Sequence, residues 1–164
     1  MNAPTSPSPG FQWFLLAFAA MWIAIAALLS RIGGWGELAE KFPSRPQPTA
    51  EAFRIASVGL GKGWFPVSYS NCLSVSVDSE GFGLSLWLPF RAFHPNLFIP
   101  WRVVERCGAE RFGFMNCTAV YLTEPSTRML FNGRVGRALQ THWAKFNATH
   151  VQPGVAADGA SRRR

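Results

Sequence analysis

The chain has 164 residues, which is enough for one domain of ordinary size with short additional segments. Charged residues make up 15% of it and hydrophobic residues 48%, against roughly 25% charged residues in an average soluble domain, and this composition excludes a wholly disordered chain, a collagen and a large multidomain enzyme. Lys and Arg number 16 against 9 Asp and Glu, and the resulting formal charge of +7 suits a nucleic acid or an anionic membrane surface as partner.

Residues 1–10 are rich in Pro and Ser and carry no charged side chain, so we expect a flexible tail. From Phe11 to Leu29 the only polar side chain is Gln12, and the first charged side chain of the sequence is Arg31. Because a helix needs roughly 20 apolar residues to cross a bilayer, we predict a transmembrane helix over residues 11–32. A cleaved signal peptide is the alternative, but it is disfavoured because no basic residue precedes Phe11 and because signal sequences have an apolar run of roughly 7–15 residues.

Basic residues flank this helix on one side only. No Lys or Arg precedes it, whereas Arg31, Lys41, Arg45 and Arg54 follow it. Basic residues concentrate on the cytoplasmic side of membrane proteins. The pattern therefore predicts that the N-terminus lies outside and that the rest of the chain lies in the cytoplasm.

Small residues recur four apart within the helix, at Ala20 and Ala24 and again at Ala26 and Ser30. This spacing lets two membrane helices approach closely. In an alanine-rich segment it also arises by chance, so helix pairing stays an open alternative.

Residues 33–50 are predicted to connect the membrane helix to the next domain. Apolar side chains between Trp35 and Phe42 fall on one face of a two-turn helix, and a Pro-rich stretch ends it. Two interpretations fit equally well: the helix lies in the headgroup layer with Trp35 and Phe42 inserted, or it packs on the following domain. The candidate membrane-anchor or interface residues are Trp13, Trp22, Trp35 and Phe42.

Residues 51–148 contain short runs with apolar residues at alternate positions, which is the pattern of half-buried strands. The clearest hairpin joins Cys72–Val77 to Phe82–Leu88. Turns are predicted at Gly59–Gly63, Asp78–Gly81, Cys107–Gly108 and Glu124–Thr127. The remaining predicted strands are Phe53–Val58, Trp64–Tyr69, a run from Phe98 to Val104, Arg111–Asn116, Thr118–Thr123 and Arg128–Phe131.

A single amphipathic helix is predicted to follow the strands, and residues 149–164 are predicted to form a disordered basic tail. Short strands at regular spacing with no helix between them indicate an antiparallel sandwich or barrel. The predicted fold is thus mainly β: a transmembrane helix, then a β-sandwich or barrel of about seven strands capped by the C-terminal helix, as in pleckstrin-homology-like domains. The apolar face of that helix comprises Val135, Ala138, Leu139, His142, Trp143 and Phe146.

The order of a membrane helix, GGWGELAEKFP, NCLSVSVDSEGFGLSL, FRAFHP and LFIPW resembles a family of small uncharacterised bacterial single-pass membrane proteins with a pleckstrin-homology-like (GRAM-like) cytoplasmic domain. The resemblance spans residues 30–130 and is most specific in LFIPW after FRAFHP. It implies a bacterial inner (plasma) membrane protein and implies no activity. Many such domains bind inositol phosphates through a basic Lys-x-Arg signature in the first hairpin, whereas the turn at Gly59–Gly63 holds only Lys62.

Residue types used in catalysis are present, but not in catalytic patterns. No His pairs with Glu or Cys at metal-ligand spacing, and the Gly cluster at 59, 61 and 63 lacks the context of a phosphate-binding loop. His94 is interpreted either as a rim residue of a binding site or as a loop histidine bonded to nearby backbone. Glu105 and Glu110 are expected to be solvated strand charges. The three cysteines lack CxxC spacing and are expected to pack as small hydrophobic residues: Cys72, Cys107 and Cys117.

We therefore predict no catalytic residue, no metal site and no cofactor, and we expect that the protein is not an enzyme. Nucleic acid is not expected as a partner because the aromatic residues fall at core-facing positions, and no small-molecule substrate is indicated. Possible contacts to an anionic surface are Arg31, Lys41, Arg45, Arg134, Arg137 and Lys145.

Two functions are compatible with this pattern. In the first, the cytoplasmic domain of a single-pass protein, whose helix spans the lipid bilayer, binds a protein partner or an anionic membrane surface. In the second, the chain is a structural subunit of a larger membrane complex, or a homo-oligomer, that associates through its transmembrane helix.

Overall fold

The apolar run forms one uninterrupted helix, α1 (Pro9–Ile32), in a computed structural model that describes residues 9–47, 50–61, 66–87, 91 and 93–150. At 1.5 Å per residue its 24 residues extend for about 36 Å, and a hydrocarbon core is ~30 Å thick. Its large apolar side chains are exposed from Phe11 to Ile32. By length and composition, α1 is the one described helix that could cross a membrane. Of the predicted tail at residues 1–10, positions 1–8 lie outside the described residues.

A second helix, α2 (Trp35–Lys41), follows after a sharp change of direction at Gly34, whose φ is 73°. Only glycine adopts this left-handed conformation without steric cost. Trp35 and Leu38 on α2 are 0% exposed and belong to the core of the β domain. Of the two interpretations of this segment, packing on the domain is therefore the observed one, and Trp35 has no exposed surface for insertion among headgroups.

Seven antiparallel strands form one sheet in the order β4-β3-β2-β1-β7-β6-β5. The predicted mainly β fold is confirmed. The sheet curls into a half-barrel, and its edge strands β4 and β5 do not pair with each other. The strands are β1 (Glu51–Gly61), β2 (Val67–Val77), β3 (Gly81–Leu86), β4 (Leu97–Pro100), β5 (Val104–Phe112), β6 (Met115–Leu122) and β7 (Thr127–Asn132).

Two predicted strands, Trp64–Tyr69 and Cys72–Val77, merge into the single strand β2. Asn71 lies between them with a φ of 57°, a conformation that Asn tolerates better than most residues. The pairing of β1 with β2 shifts register on either side of Ala56. The polar residues at this point thus mark a bulge rather than a turn. The part of the prediction before position 66 lies outside the described residues.

The turn predicted at Cys107–Gly108 was wrong. The chain remains extended from Val104 to Phe112 because Gly108 pairs with Ala119 within the ladder of β5 and β6. The hairpin turn falls at Gly113, whose φ is 58°, in the middle of the predicted strand Arg111–Asn116. Sequence alternation did not separate two adjacent strands because one follows the other almost directly.

The C-terminal helix, α3 (Gly133–His150), closes over the interior of the curled sheet. Val135 and Leu139 are buried in the core, next to a cluster in which Phe82 contacts Trp101 and Phe131 at ring-centroid distances of 5.4 and 5.9 Å. The helix continues to His150, so the predicted tail begins at least two residues too early, and residues 151–164 lie outside the described range.

The edge strand β4 is covered by the segment that follows α2. The backbone amide of Phe98 donates to the carbonyl of Phe42 at 3.1 Å, and Pro43 forms a bridge with Leu97. Covering an edge in this way hides backbone groups that would otherwise pair with another chain.

Replacement of Gly136 by Ala tests how closely α3 packs on β6. An added Cβ would contact the Thr118 hydroxyl, the Thr118 Cβ at 2.9 Å and the Phe131 carbonyl at 3.1 Å. Overpacking of this kind costs about 1–3 kcal/mol, and it opposes the gain of ~1 kcal/mol in helix propensity. We expect a lower midpoint of thermal unfolding by circular dichroism of the full chain in detergent.

Gly36→Ala is the matched control, because nothing lies within 4 Å of an added Cβ at this position of α2. It should leave the midpoint unchanged or raise it. An equal rise in both variants would contradict the close packing at Gly136.

Candidate functional site

Three rings meet where α1 joins the β domain. Trp35 lies 5.5 Å from Tyr69 and 5.3 Å from His94 between ring centroids, and Tyr69 lies 5.4 Å from His94. None of the three side chains is more than 5% exposed. We call Trp35, Tyr69 and His94 the junction cluster. They come from α2, β2 and the loop before β4, so the cluster joins three parts of the chain.

The polar atoms of the junction cluster bind backbone carbonyls or each other. Trp35 Nε1 donates to the Pro95 carbonyl at 2.9 Å, and the Tyr69 hydroxyl donates to the Leu29 carbonyl on α1 at 3.2 Å. Tyr69 Oη is also 3.2 Å from His94 Nε2. Since a phenol has one proton to donate, this arrangement is satisfied when His94 carries its proton on Nε2 and donates to Tyr69.

Two further contacts hold the end of α1 on the domain. The Ser30 hydroxyl donates to the Phe93 carbonyl at 2.7 Å, and Ser30 is 5% exposed. A Cβ at Gly33 would lie 2.9 Å from the Tyr69 hydroxyl and 3.0 Å from the Leu29 carbonyl, so a larger residue would push the helix away. The direction in which α1 leaves the domain is therefore set by side-chain contacts and not by a loose linker.

Burial, with a smaller effect of the negative charge that the neighbouring Cys72 carries as a thiolate, raises the pKa of Tyr69 from 10.0 to about 12. The phenol therefore keeps its proton, and remains the donor to Leu29, at pH values above 10 at which an exposed tyrosine would be ionised.

A groove between α3 and the start of β1 is lined by several basic side chains. It has a volume of ≈ 370 Å³. Arg134, Arg137 and Lys145 are exposed on its α3 side, and no described carboxylate lies within 4.0 Å of any of them. Glu51 is the one acidic residue among the described groove residues. We call this surface the α3 groove; its charged and aromatic lining is Glu51, Phe53, Arg134, Arg137, His142 and Lys145.

A bulge in β1 borders the α3 groove and presents an apolar side chain. Ile55 has a φ of 61° and is 59% exposed. This conformation is strained for a β-branched residue, and such strain is found where the surrounding structure requires it. Ile55 lines an adjoining hollow of ≈ 470 Å³ together with Arg54 and Arg134. The α3 groove and this hollow thus form a basic surface with one exposed apolar side chain, Ile55, beside it.

The α3 groove extends away from the junction cluster along β1. Val58 pairs with Tyr69, and Glu51 is seven residues earlier in the same strand. At about 3.3 Å per residue the Glu51 end of the groove lies about 20 Å from the cluster along β1. The Arg134 end is nearer, because Arg134 follows closely after Phe131, which pairs with Val58.

The six basic residues predicted to contact an anionic surface do not form one patch. Three of them line the α3 groove, and Arg31 is exposed at the end of α1. Lys41 Nζ lies 4.0 Å from a Glu124 carboxylate oxygen, and the Arg45 guanidinium lies 5.8 Å above the Phe98 ring.

The predicted anchor residues also differ in their surroundings. Trp13 and Trp22 are 72% and 38% exposed on α1, whereas Phe42 is half-buried against the core. Ala26 and Ser30 are buried against the rest of the chain, so this pair of small residues is not available for pairing with another helix, while Ala20 and Ala24 are exposed.

The residues considered for chemistry hold the fold together. His94 is buried in the junction cluster and is not a rim residue. Glu110 accepts a hydrogen bond from the Tyr121 hydroxyl at 2.7 Å and pairs with Arg128 at 3.3 Å. Burial raises the pKa of Cys107 to about 12. In the described ranges, no three His, Cys, Asp or Glu side chains are grouped so as to hold a metal ion.

A third hollow, of ≈ 460 Å³, lies on the outer face of the sheet. Its described lining contains no charged side chain. Burial, with a smaller effect of the Glu110 carboxylate, raises the pKa of Cys117 in this hollow, so the thiol does not have the character of a nucleophile. The lining includes Ser57, Ser68, Ser70, Cys117, Leu130 and Asn132.

Sequence reasoning missed Tyr69 and Ile55. Tyr69 is the only aromatic residue in the serine-rich strand β2, and this was the available signal. Nothing in the sequence indicates that Ile55 lies at a bulge.

No protein-family model matches the chain, and a search of curated proteins finds no match either.

Titration of the tyrosines tests the junction cluster. The chain has two tyrosines, so Tyr121→Phe leaves Tyr69 alone. We expect tyrosinate absorbance to appear with a midpoint near pH 12 in the folded protein, because burial disfavours the charged phenolate, and near pH 10 after unfolding.

The same shift predicts that stability falls between about pH 10 and pH 12, because the unfolded chain releases the Tyr69 proton at lower pH than the folded chain does. Tyr69→Phe should lose the tyrosinate absorbance transition near pH 12. A midpoint near pH 10 in folded Tyr121→Phe would show that Tyr69 is not buried.

Proposed function

We propose that this chain is a single-pass membrane protein, anchored by α1 in the bacterial inner membrane with its N-terminus outside, whose cytoplasmic β domain binds an acidic segment of a protein partner. The observation that carries the proposal is the α3 groove, in which three exposed basic side chains face one carboxylate. The role proposed for the domain is binding and not catalysis.

The position of the groove favours a protein over the surface of the anchoring membrane. Its Glu51 end lies about 20 Å along β1 from the junction cluster, and its Arg134 end lies nearer, beyond the strand position of Phe131. Charges in physiological salt are screened over ~8 Å. A partner that approaches from the cytoplasm can reach the groove, whereas a leaflet at the level of the junction would act on it weakly.

The basic flank of α1 supports the proposed orientation. Arg31 is exposed directly after the apolar segment, and no basic residue precedes that segment. Membership of the family with pleckstrin-homology-like domains is part of the proposal, and it rests on the sequence motifs given above.

A second function is favoured by one observation on α1. Phe14, Phe18 and Trp22 stack along one side of the helix with centroid spacings of 6.4 Å and are exposed. The exposed Ala20 and Ala24 are two residues out of step with them and lie on the opposite side. The aromatic face suits packing in a larger membrane complex. In that case replacement of this face by leucines would abolish association in detergent.

Charge reversal in the groove tests the principal proposal. We expect a fluorescent polyglutamate peptide to bind the full chain in nanodiscs of neutral lipid, and Arg134→Glu with Arg137→Glu to weaken binding about tenfold, because each exposed ion pair contributes up to ~1 kcal/mol and is lost. Fluorescence anisotropy at low and moderate salt measures the change.

Arg102→Glu with Arg111→Glu is the control of equal charge change, since both residues are exposed elsewhere on the domain. Equal weakening in the two double variants would contradict a groove-specific site. Groove-dependent binding to anionic vesicles, without peptide binding, would establish the membrane-surface alternative instead.

Topology is tested by cysteine labelling in intact cells. An impermeant thiol reagent should label Ser6→Cys, on the N-terminal side of α1, and should not label Phe114→Cys until the cells are opened, because Phe114 lies in the β domain beyond the helix. Labelling of Phe114→Cys alone would reverse the orientation. Release of the chain by alkaline carbonate would refute the anchor itself.

A further inference from the structure

The loop between β3 and β4 returns to the end of α1. The Ser30 hydroxyl donates to the carbonyl of Phe93 at 2.7 Å, and the amide of His94 donates to the carbonyl of Arg91 at 3.0 Å. The second bond closes a turn, which we call the anchor turn: its described residues are Arg91, Phe93 and His94. The first bond places this turn against the last turn of α1.

The depth of the anchor turn follows from that contact. Ser30 is two residues before the end of α1, which is about 3 Å at 1.5 Å per residue. A helix of this length that spans ~30 Å of hydrocarbon has its end in the headgroup layer. The backbone of Phe93 is within hydrogen-bonding distance of Ser30 and must therefore lie at the same level.

The side chains at this level have the composition of a membrane interface. Phe93 is 52% exposed although it is a large apolar residue, and its φ of 66° is a conformation that a non-glycine residue rarely adopts. Arg91 and Arg31 are exposed next to it. His94, the next residue, is 2% exposed in the junction cluster. The turn thus anchors its buried histidine in the domain while Phe93 points away from the core.

We propose that the anchor turn is a second membrane contact, in which Phe93 inserts at the boundary of headgroups and acyl chains while Arg31 and Arg91 contact anionic headgroups. This inference rests on the proposed function, because it requires that α1 spans the bilayer. The lipid surface is the occupant because the anchor turn is hydrogen-bonded to the last turn of α1, which stands in the bilayer when α1 spans it. Leu28 and Ile32, 56% and 64% exposed, lie on the side of that turn opposite Ser30. Aromatic and basic side chains together at the cytoplasmic interface are typical of such contacts.

The consequence is a domain held at two points. Because the junction cluster fixes α1 on the domain, the domain tilts together with the helix. A second contact beside the helix restricts that tilt.

A depth measurement tests this proposal. A fluorophore sensitive to polarity (NBD) is attached to Phe93→Cys in the full chain, reconstituted in vesicles with nitroxide-labelled acyl chains. We expect blue-shifted emission and quenching at least half as strong as that of a Leu28→Cys label on α1. Arg91→Cys provides a second position in the same turn if Phe93→Cys folds poorly. The three native thiols give little background, because burial raises the pKa of Cys72, Cys107 and Cys117.

Phe114→Cys is the matched control. Phe114 is an aromatic residue at 99% exposure in the β5–β6 turn, and β1 and β7 separate β6 from β2 in the sheet. Its label should show solvent-like emission and no quenching. An anionic lipid should increase quenching at Phe93 and leave Phe114 unchanged.

The outcomes separate this proposal from the one it rests on. Quenching at Leu28 but neither at Phe93 nor at Arg91 overturns the anchor turn and leaves the membrane span intact. Blue-shifted emission at Phe93 without quenching would mean that protein, and not lipid, surrounds the label, and it also overturns the anchor turn. Equal quenching at Phe93 and Phe114 shows a domain lying flat on the bilayer and also overturns it. No quenching at Leu28 refutes the span, and the anchor turn with it.

Discussion

The architecture depends on the contact between Tyr69 and the carboxyl end of α1. A buried polar group without a partner costs about 1–3 kcal/mol, and the Leu29 carbonyl gives the buried Tyr69 hydroxyl an acceptor at 3.2 Å. The same carbonyl also accepts the amide of Gly33 at 2.9 Å, so the helix end and the phenol share one oxygen. Trp35 and His94 then enclose the phenol, so that the helix end and the sheet share one buried cluster.

The junction cluster and the α3 groove are two separate regions of the molecule. The junction cluster binds α1, α2 and the loop before β4 into one unit, and the α3 groove extends along β1 to Glu51, about 20 Å from the cluster. The basic residues that sequence composition presents as a single surplus are divided between these two regions. Arg31 lies at the end of the apolar helix α1, whereas Arg134, Arg137 and Lys145 face the groove. The excess of basic residues is thus distributed over two different surfaces.

Much of the fold was predictable because it is encoded by local patterns. The long apolar helix follows from an unbroken apolar run, the mainly β domain and the amphipathic C-terminal helix follow from periodicity, and all three are present. Strand boundaries were less accessible. Asn71 separates two predicted strands and Gly108 resembles a turn residue, yet β2 continues past the bulge at Asn71 and Gly108 stays in β5, because pairing with neighbouring strands stabilises the extended chain around them.

The sequence by itself determined the apolar helix, its basic flank and the alternation of the strands, since these depend only on the order of side chains along a helix or strand. The tertiary structure decided what the charges and aromatic residues face. Tryptophan is a residue type common at membrane interfaces, but Trp35 is buried, because the chain turns back at Gly34 and α2 packs into the open sheet. The sequence likewise does not show which surfaces carry the charge of +7. Its separation between the end of α1 and the α3 groove comes from the pairing of strands far apart in the chain.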